Sequence, residues 1–358
     1  MTGFSLKEIA NRFRTGIYQS SEVDSALALK TNSADLVSAI GNINSPLLDM
    51  PLKNNLAMKA GVGSATFTRA STATYIDRYG VLKTAAVDEP RFEKEGYLNE
   101  GASTNLLTYS EQCDNTIWVK SRTTVSVNTA DTRDPYGTNL ADKVIEDTTA
   151  SATHAIQNGY TFTSGVVYTA SIFLKAGERD IVSISGGNTT TFAANCQFNL
   201  TTGVVVSQTL GSASIKSVGN GWYRCSITGT AGATGSTGVV VFLTQNGATT
   251  YTGDGVSGIY VFGAQLEALP FATSYIPTTS ATVTRSADIL YVTKYNNISK
   301  PYDELSVLVD FSTFDTRLTG VQYIWSTSGT TSTARRNYIN NTNKKRLVNM
   351  LCSIFPQK

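Results

Sequence analysis

The stretch 221–279 constrains the fold most, because its side chains repeat with a period of two. Over 222–228, Tyr223, Cys225 and Ile227 fall on one face and Trp222, Arg224, Ser226 and Thr228 on the other. A pleated backbone sends successive side chains to opposite faces, so this alternation predicts a strand with one face in a core and one towards solvent. Asp254-Gly255 then reads as a tight turn, since glycine accepts positive φ without a Cβ clash. Residues 259–266 are apolar on both faces apart from Gln265, which predicts an interior strand.

The same period runs through the middle of the chain. Val166, Tyr168, Ala170, Ile172 and Leu174 share one face, as do Phe192, Ala194, Cys196, Phe198 and Leu200. Polar or glycine-rich breaks fall near 158–165, 186–190, 201–203, 218–221, 229–238 and 246–258. Eight or more short strands so spaced predict a mostly β chain, an antiparallel two-sheet sandwich of jelly-roll type. Only 16% of residues are charged, and Thr, Ser, Gly, Ala and Val dominate, as many short strands joined by turns require. The four cysteines form no Cys-x-x-Cys, which excludes a disulfide framework and a zinc site. Cys196 and Cys225 fall on the apolar phase of their strands and read as small buried hydrophobes, a disulfide between them being the alternative.

Four regions follow in order. Residues 1–45 read as a short N-terminal helical segment for attachment or trimerisation. Ser20 or Ser21 can cap its main helix, and Val23, Leu27, Lys30, Ala34, Val37 and Gly41 step by four and three, the spacing of a coiled-coil seam. A stripe so narrow cannot bury itself alone and needs partner chains or a groove. Residues 46–110 read as a linker and β-hairpin region, in which the Thr-rich run from Thr66 to Thr74 suits an exposed hairpin and Asp77 to Gly80 a turn. Residues 111–290 are the sandwich. Residues 291–358 read as an incomplete second β unit, with strands at 304–311 and 321–326 and a basic tail. The last 25 residues hold six Lys or Arg and no Asp or Glu, which leaves the preceding chain at 23 − 27 = −4. A truncation or frame change in the coding sequence is one account of that tail; a basic element docking on a neighbouring subunit is the other.

Several stretches carry a resemblance. Tyr18, Glu22, Val23, Asp24, Leu27 and Lys30 occupy the places of the repeat that builds trimeric shafts in bacteriophage tail fibres. Phe-Thr-Arg-Ala-Ser-Thr-Ala-Thr-Tyr (67–75), Asp-Glu-Pro-Arg-Phe (88–92), Thr-Asn-Leu-Leu (104–107), Asn-Gly-Trp-Tyr-Arg (220–224), Gly-Ala-Gln-Leu-Glu (263–267) and Tyr-Ile-Pro (275–277) resemble, in order, stretches of phage virion proteins. Those are tail-fibre, appendage or capsid-fibre proteins whose jelly-roll domain is similar to carbohydrate-binding modules. The resemblance covers roughly 64–290. It implies a homotrimer in the virion, made in the host cytoplasm and joined to other virion proteins through its N-terminal helices; the N-terminus has no apolar core between its basic residues, so no signal peptide is expected. Host cell-surface polysaccharide is then the implied ligand. It also implies a structural Ca²⁺ held by backbone oxygens and carboxylates, for which the sequence assigns no ligands.

Charge and motifs narrow the chemistry. A net charge of +2 gives no reason to expect nucleic acid, and no apolar run approaches the ~18 residues that span a bilayer. The chain has one histidine, His154, which reads as a strand-surface residue, and no Gly-x-Ser-x-Gly or phosphate loop. A glycosidase needs only two placed carboxylates; Asp88, Glu89, Glu93 and Glu95 cluster beside Arg91 in what reads as a solvated loop. A sugar site needs an exposed aromatic with hydrogen-bonding groups nearby, so the candidates for ligand binding are Trp222, Arg224, Tyr251 and Asp254. Against that, Trp222 can pack under a loop or against 64–110, and Asp254 can serve its turn alone. The expectation is a non-enzymatic fibre or appendage that contacts glycans, with a purely structural decoration protein and a glycan-degrading tail enzyme as alternatives.

Overall fold

The computed structural model describes residues 48–61 and 63–292, together with the backbone of four short strands, Ser306–Val307, Gln322–Ser326, Arg336–Ile339 and Cys352–Ser353. The helices and trimer seam expected over 1–45 lie outside these residues. The chain divides into two units. In the one gathering 1–51, 56–65 and 292–358, Gln322–Ser326 pairs antiparallel with Arg336–Ile339 and Ser306–Val307 with Cys352–Ser353. The other, 52–55 with 66–291, holds the sandwich.

Its strands begin with six short ones: β1 (Ala65–Thr68), β2 (Ala73–Ile76), β3 (Leu82–Ala85), β4 (Arg91–Glu93), β5 (Gly96–Leu98) and β6 (Ser103–Asn105). Twelve follow: β7 (Trp118–Ser121), β8 (Thr123–Ser126), β9 (Asp142–Glu146), β10 (His154–Phe162), β11 (Val167–Ala176), β12 (Ile181–Ser185), β13 (Asn195–Asn199), β14 (Val204–Leu210), β15 (Ser212–Ser217), β16 (Trp222–Thr230), β17 (Gly235–Leu243) and β18 (Gly258–Glu267). Two more, β19 (Val283–Arg285) and β20 (Ile289–Val292), close the series. The twelve make two six-stranded antiparallel sheets. The first runs β14-β13-β12-β17-β10-β7 and the second β15-β16-β11-β18-β9-β8.

Alternation builds the core between them. Ile156, Val182, Ile184 and Val241 of the first sheet meet Ile172, Leu174, Ile227 and Val261 of the second. Each such side chain contributes about 1.5–3 kcal/mol when taken out of water. All the residues expected to share the two apolar faces lie in this core or, for Val166, against it. Cys113, Cys196 and Cys225 are free and buried, so the alternative disulfide between Cys196 and Cys225 is not formed. The β15–β16 hairpin turns on Asn220 (φ 50°) and Gly221 (φ 77°), with Trp222 N–H donating to the Gly219 carbonyl at 2.8 Å. Two successive positive-φ residues match the twist of the flanking strands. Where β18 slips register against β11, Gly263 has φ 58°, and a Cβ there would fall 2.9 Å from the Phe173 ring.

The outer face of β16 departs from expectation, for it does not meet solvent. Trp222 is fully buried and packs with Leu82, Phe173, Val218, Phe262 and Tyr275. Residues 273–278 lie along the outer surface of the second sheet, held by polar side chains. Gln265 accepts from Ile276 N–H (2.7 Å), Glu267 from Thr273 N–H (2.9 Å), and Asn105 Nδ2 donates to the Ala264 and Ile276 carbonyls. Both apolar and hydrogen-bonded covering come from chain far away in sequence, which a local period of two does not register.

The run from Thr66 to Thr74 is likewise not an exposed hairpin: Phe67, Arg69, Ala73 and Thr74 are buried. The hairpin proper is β2–β3, and it brings Leu82 onto Trp222. Beneath this arm sits a buried ionic network. Asp288 receives Arg69 Nη1 (3.1 Å), Arg91 Nη2 (2.5 Å) and the Glu100 backbone N–H (2.8 Å). Glu100 in turn receives Arg91 (2.9 Å), Arg285 (3.5 Å), and the Ser274 N–H and hydroxyl. Removing one partner of a buried network strands the others without solvent, so Asp288→Ala should destabilise the fold by about 3–5 kcal/mol, read from urea unfolding.

Acid should act through the same network. Burial alone would raise the Glu100 carboxyl, but Arg285, Arg91 and the two Ser274 hydrogen bonds outweigh it and hold it below 4.5, its ordinary value. A carboxylate depressed in the folded state stabilises the fold above its unfolded pKa, and that contribution is lost as pH falls. Below about pH 4.5 the native protein is therefore expected to lose stability more steeply than Glu100→Gln; equal slopes in urea titrations at successive pH would count against it.

Candidate functional site

The four residues read from the sequence as ligand contacts separate into two pairs; Trp222 and Tyr251 are buried, Arg224 is half-buried and Asp254 is exposed in its turn. Trp222 donates its indole N–H to the Arg133 carbonyl at 2.7 Å beneath the arm. Arg224 is half-buried; it donates to the Thr273 carbonyl (2.6 Å) and the Ser171 hydroxyl (2.9 Å), with its guanidinium 5.4 Å from the Phe173 ring centre. A ring with no exposed face cannot stack on a sugar, so Trp222 is a packing residue and Arg224 a strap.

Tyr251 and Asp254 converge on a carboxylate that the sequence did not single out, Glu146. Its oxygens accept from the Tyr251 hydroxyl (2.7 Å), the Asp254 backbone N–H (3.1 Å) and two nitrogens of Arg179 (2.9 and 2.5 Å). Arg179 also lies over the Tyr251 ring, 5.2 Å from its centre. The Asp254 carboxylate accepts from the Ser257 hydroxyl and from the N–H groups of Ser257 and Val256, which hold it well below the usual carboxylate range. Tyr251 and Asp254 thus anchor the loop between β17 and β18. Glu146 and Arg179 stand 33 residues apart with no local pattern to pair them.

His154 is not on the surface. Its ring is fully buried, 4.8 Å from that of Tyr251, with Nε2 3.2 Å from the Asp147 carboxylate but not aligned as a hydrogen bond. The acidic group at 88–95 is largely used by backbone rather than left free. Asp88 accepts from Arg69 N–H, Glu89 from Ala86 N–H and Glu93 from Ile76 N–H, while Arg91 is buried in the ionic network. Among the described residues no three His, Cys, Asp or Glu side chains come together as a metal site.

A different surface carries partly covered polar chemistry. The short strands of the arm pack on the second sheet, and the outer face of the first sheet presents cross-strand rows. One row runs Gln157, Val240, Ser185, Asn195 across β10, β17, β12 and β13. The next runs Ala155, Phe242, Ser183, Gln197. Val240, Ala155 and both serines form a buried floor, while Gln157, Asn195, Gln197 and Phe242 stand half-exposed above it. Two hydrogen bonds fix the amides: Gln197 Nε2 donates to the Gly247 carbonyl (2.9 Å) and Ser183 Oγ to Asn195 Oδ1 (3.3 Å). A Cβ on Gly238 would fall 2.6 Å from Gln157 Cγ, so the glycine makes room for that side chain to lie against the sheet. Sequence reasoning passed over this face, although Ser183 and Ser185, and Asn195 and Gln197, are spaced by two on their strands.

No protein-family model and no curated protein matches the sequence. One similar solved structure comprises the CBM22-1–GH10 modules of the N-terminal endo-1,4-β-D-xylanase 10B of Clostridium thermocellum, complexed with xylohexaose. The identity is 12% and the TM-score 0.23, over 58% of this chain and 30% of that one. The chain thus spans less than a third of that protein's length. The β-sandwich itself is established by the strand pairings, antiparallel throughout both sheets.

Stability, not binding, should report on the residues turned inward. Trp222→Ala is expected to cost about 3–5 kcal/mol through the cavity it leaves. Arg179→Ala should cost about 3 kcal/mol or more by leaving Glu146 buried and unpaired. Asp254→Asn keeps an acceptor for the turn and should shift the urea midpoint little.

Proposed function

We propose that the chain is a non-enzymatic phage virion fibre or appendage protein that contacts host surface glycans through a jelly-roll module. What supports the module is how the strands pair. β9 pairs with β18, β10 with β17, β11 with β16 and β12 with β13. The four pairs alternate between the second sheet and the first, so a long double ribbon is wound into two layers, as in a jelly roll. The observation that carries glycan contact is the outer face of the first sheet, where fixed amides and hydroxyls surround the half-exposed Phe242. The ordered motifs at 67–75, 88–92, 104–107, 220–224, 263–267 and 275–277 support the virion assignment through their resemblance to virion proteins. Residues 1–45 would join three copies and attach them to other virion proteins.

A second reading, an assembly or decoration module without a sugar ligand, draws on where those motifs lie. Arg69, Arg91, Asn105, Trp222 and Glu267 all serve internal cohesion, not a surface. The enzyme reading has less support, because Asp88, Glu89 and Glu93 are held by backbone N–H groups.

The three readings part in one set of assays. Full-length protein on an array of bacterial surface polysaccharides is expected to bind a subset without releasing reducing ends. A blank array from folded protein would favour assembly alone, and release of reducing ends would favour the enzyme. Sedimentation should give a trimer that falls to monomer when 1–45 is deleted.

A further inference from the structure

We infer that the outer face of the first sheet takes an uncharged polysaccharide, with Phe242 as the stacking platform and Gln157, Asn195 and Gln197 as the hydrogen-bonding groups. The inference rests on the glycan-contact reading and adds the class of sugar. Its basis is a charge asymmetry between the two sheets. Five of the first sheet's six strands, β10, β12, β13, β14 and β17, contain no Asp, Glu, Lys or Arg at any position; the edge strand β7 carries Lys120, whose ammonium donates to the Asp114 and Asn115 carbonyls. The second sheet carries Lys143 on β9, Lys175 on β11, Arg224 on β16 and Glu267 on β18. In a chain with 16% charged residues, five neighbouring strands without one are a marked departure, and most of them flank the half-exposed amides.

That composition selects against acidic sugars. A uronate or sialate carboxylate laid on this face would lose water and gain no Arg or Lys, the partners that make charge-assisted hydrogen bonds to carboxylates. A neutral pyranose loses nothing of the kind. Its C–H face fits the Phe242 ring, and its hydroxyls, donors and acceptors at once, match side-chain amides that are also both. The amides are partly prepared for this. The bond from Gln197 Nε2 to Gly247 leaves its Oε1 as an acceptor, and the bond from Ser183 to Asn195 Oδ1 leaves Nδ2 as a donor. Ala155 and Ser183 flank Phe242 with small buried side chains, and Val240 and Ser185 do the same in the next row, so the ring is the large side chain a sugar chain would meet on crossing these strands.

The test is affinity electrophoresis of the full-length protein in gels holding dextran, mannan or galactan, against gels holding alginate or polysialic acid. At least one neutral polymer should retard the protein, and a tenfold rise in NaCl should leave that retardation unchanged, since no ion pair contributes to it. Phe242→Ala, and separately the double variant Gln157→Ala with Asn195→Ala, should each weaken binding about tenfold. The double variant alters half-exposed side chains and should keep its unfolding midpoint. Binding only to the acidic polymers, lost with salt, would overturn the inference and leave glycan contact standing. Neutral binding untouched by both variants would overturn the placement on this face. Retardation by none of the polymers would overturn the inference and the glycan-contact reading together.

Discussion

Asp288 is the carboxylate on which the arrangement of the larger unit depends. Its oxygens are the meeting point of Arg69, Arg91 and the Glu100 N–H, groups 219, 197 and 188 residues away in sequence. Burying a carboxylate and two guanidiniums costs several kcal/mol of hydration for each ion, and only near-complete pairing offsets that. The pairing is near-complete around Asp288 and looser around Arg285, whose Nε and Nη2 lack hydrogen-bond partners. Such a network adds less net stability than an apolar core of equal volume. What it adds is a penalty on every alternative placement of the arm, because a shift strands ions away from water.

That constraint explains why the two sheets differ. With 66–105 and 273–288 clamped together, the outer face of the second sheet is roofed, and its residues become a second core. Trp222, Phe173, Phe262 and Tyr275 supply the apolar part; Arg224, Gln265, Glu267 and Asn105 supply the hydrogen bonds that hold the roof. The first sheet keeps its own outer face, and there the amides gather. Arg69, Arg91, Asn105 and Tyr275 of the sequence motifs fall within the roof, and Trp222 and Gln265 on the strands beneath it. They are residues a scaffold needs to close.

This division also sets what could be read from the sequence. A strand's own alternation reveals which residues share a face, so the core sets 166–174 and 192–200 and the interior strand at 259–266 were legible. Alternation does not say what lies over a face. Trp222 and Arg224 are out of phase with the core, which left solvent or a covering segment open; for Trp222 the packing against 64–110 is what forms, through Leu82, while Thr273 and Tyr275, which also cover this face, lie far off along the chain. The Thr-rich run at 66–74 misleads for the same reason, since its Arg69 finds Asp288 only in three dimensions. His154 and Glu146 were hidden by a similar long-range closure. The uncharged strands of the first sheet were plain in the sequence, yet an absence of charge is weighed only once the strands are known to be neighbours.

The physics of an uncharged site ties its usefulness to the part of the chain outside the described residues. A sugar hydroxyl bound to an amide exchanges one hydrogen bond with water for another, so each contact nets only about 0.5–1.5 kcal/mol. One aromatic stack adds a comparable amount, and the lost freedom of the sugar chain subtracts from the total. A single face of this kind therefore binds weakly, and no salt bridge raises it. Copies held together change the arithmetic: once one site is engaged, the others see the polymer at a high effective concentration, and avidity can exceed single-site affinity by about 10²–10⁴. The proposed neutral face and the proposed trimer would thus belong to one argument, in which weak single contacts require several linked copies to hold a cell.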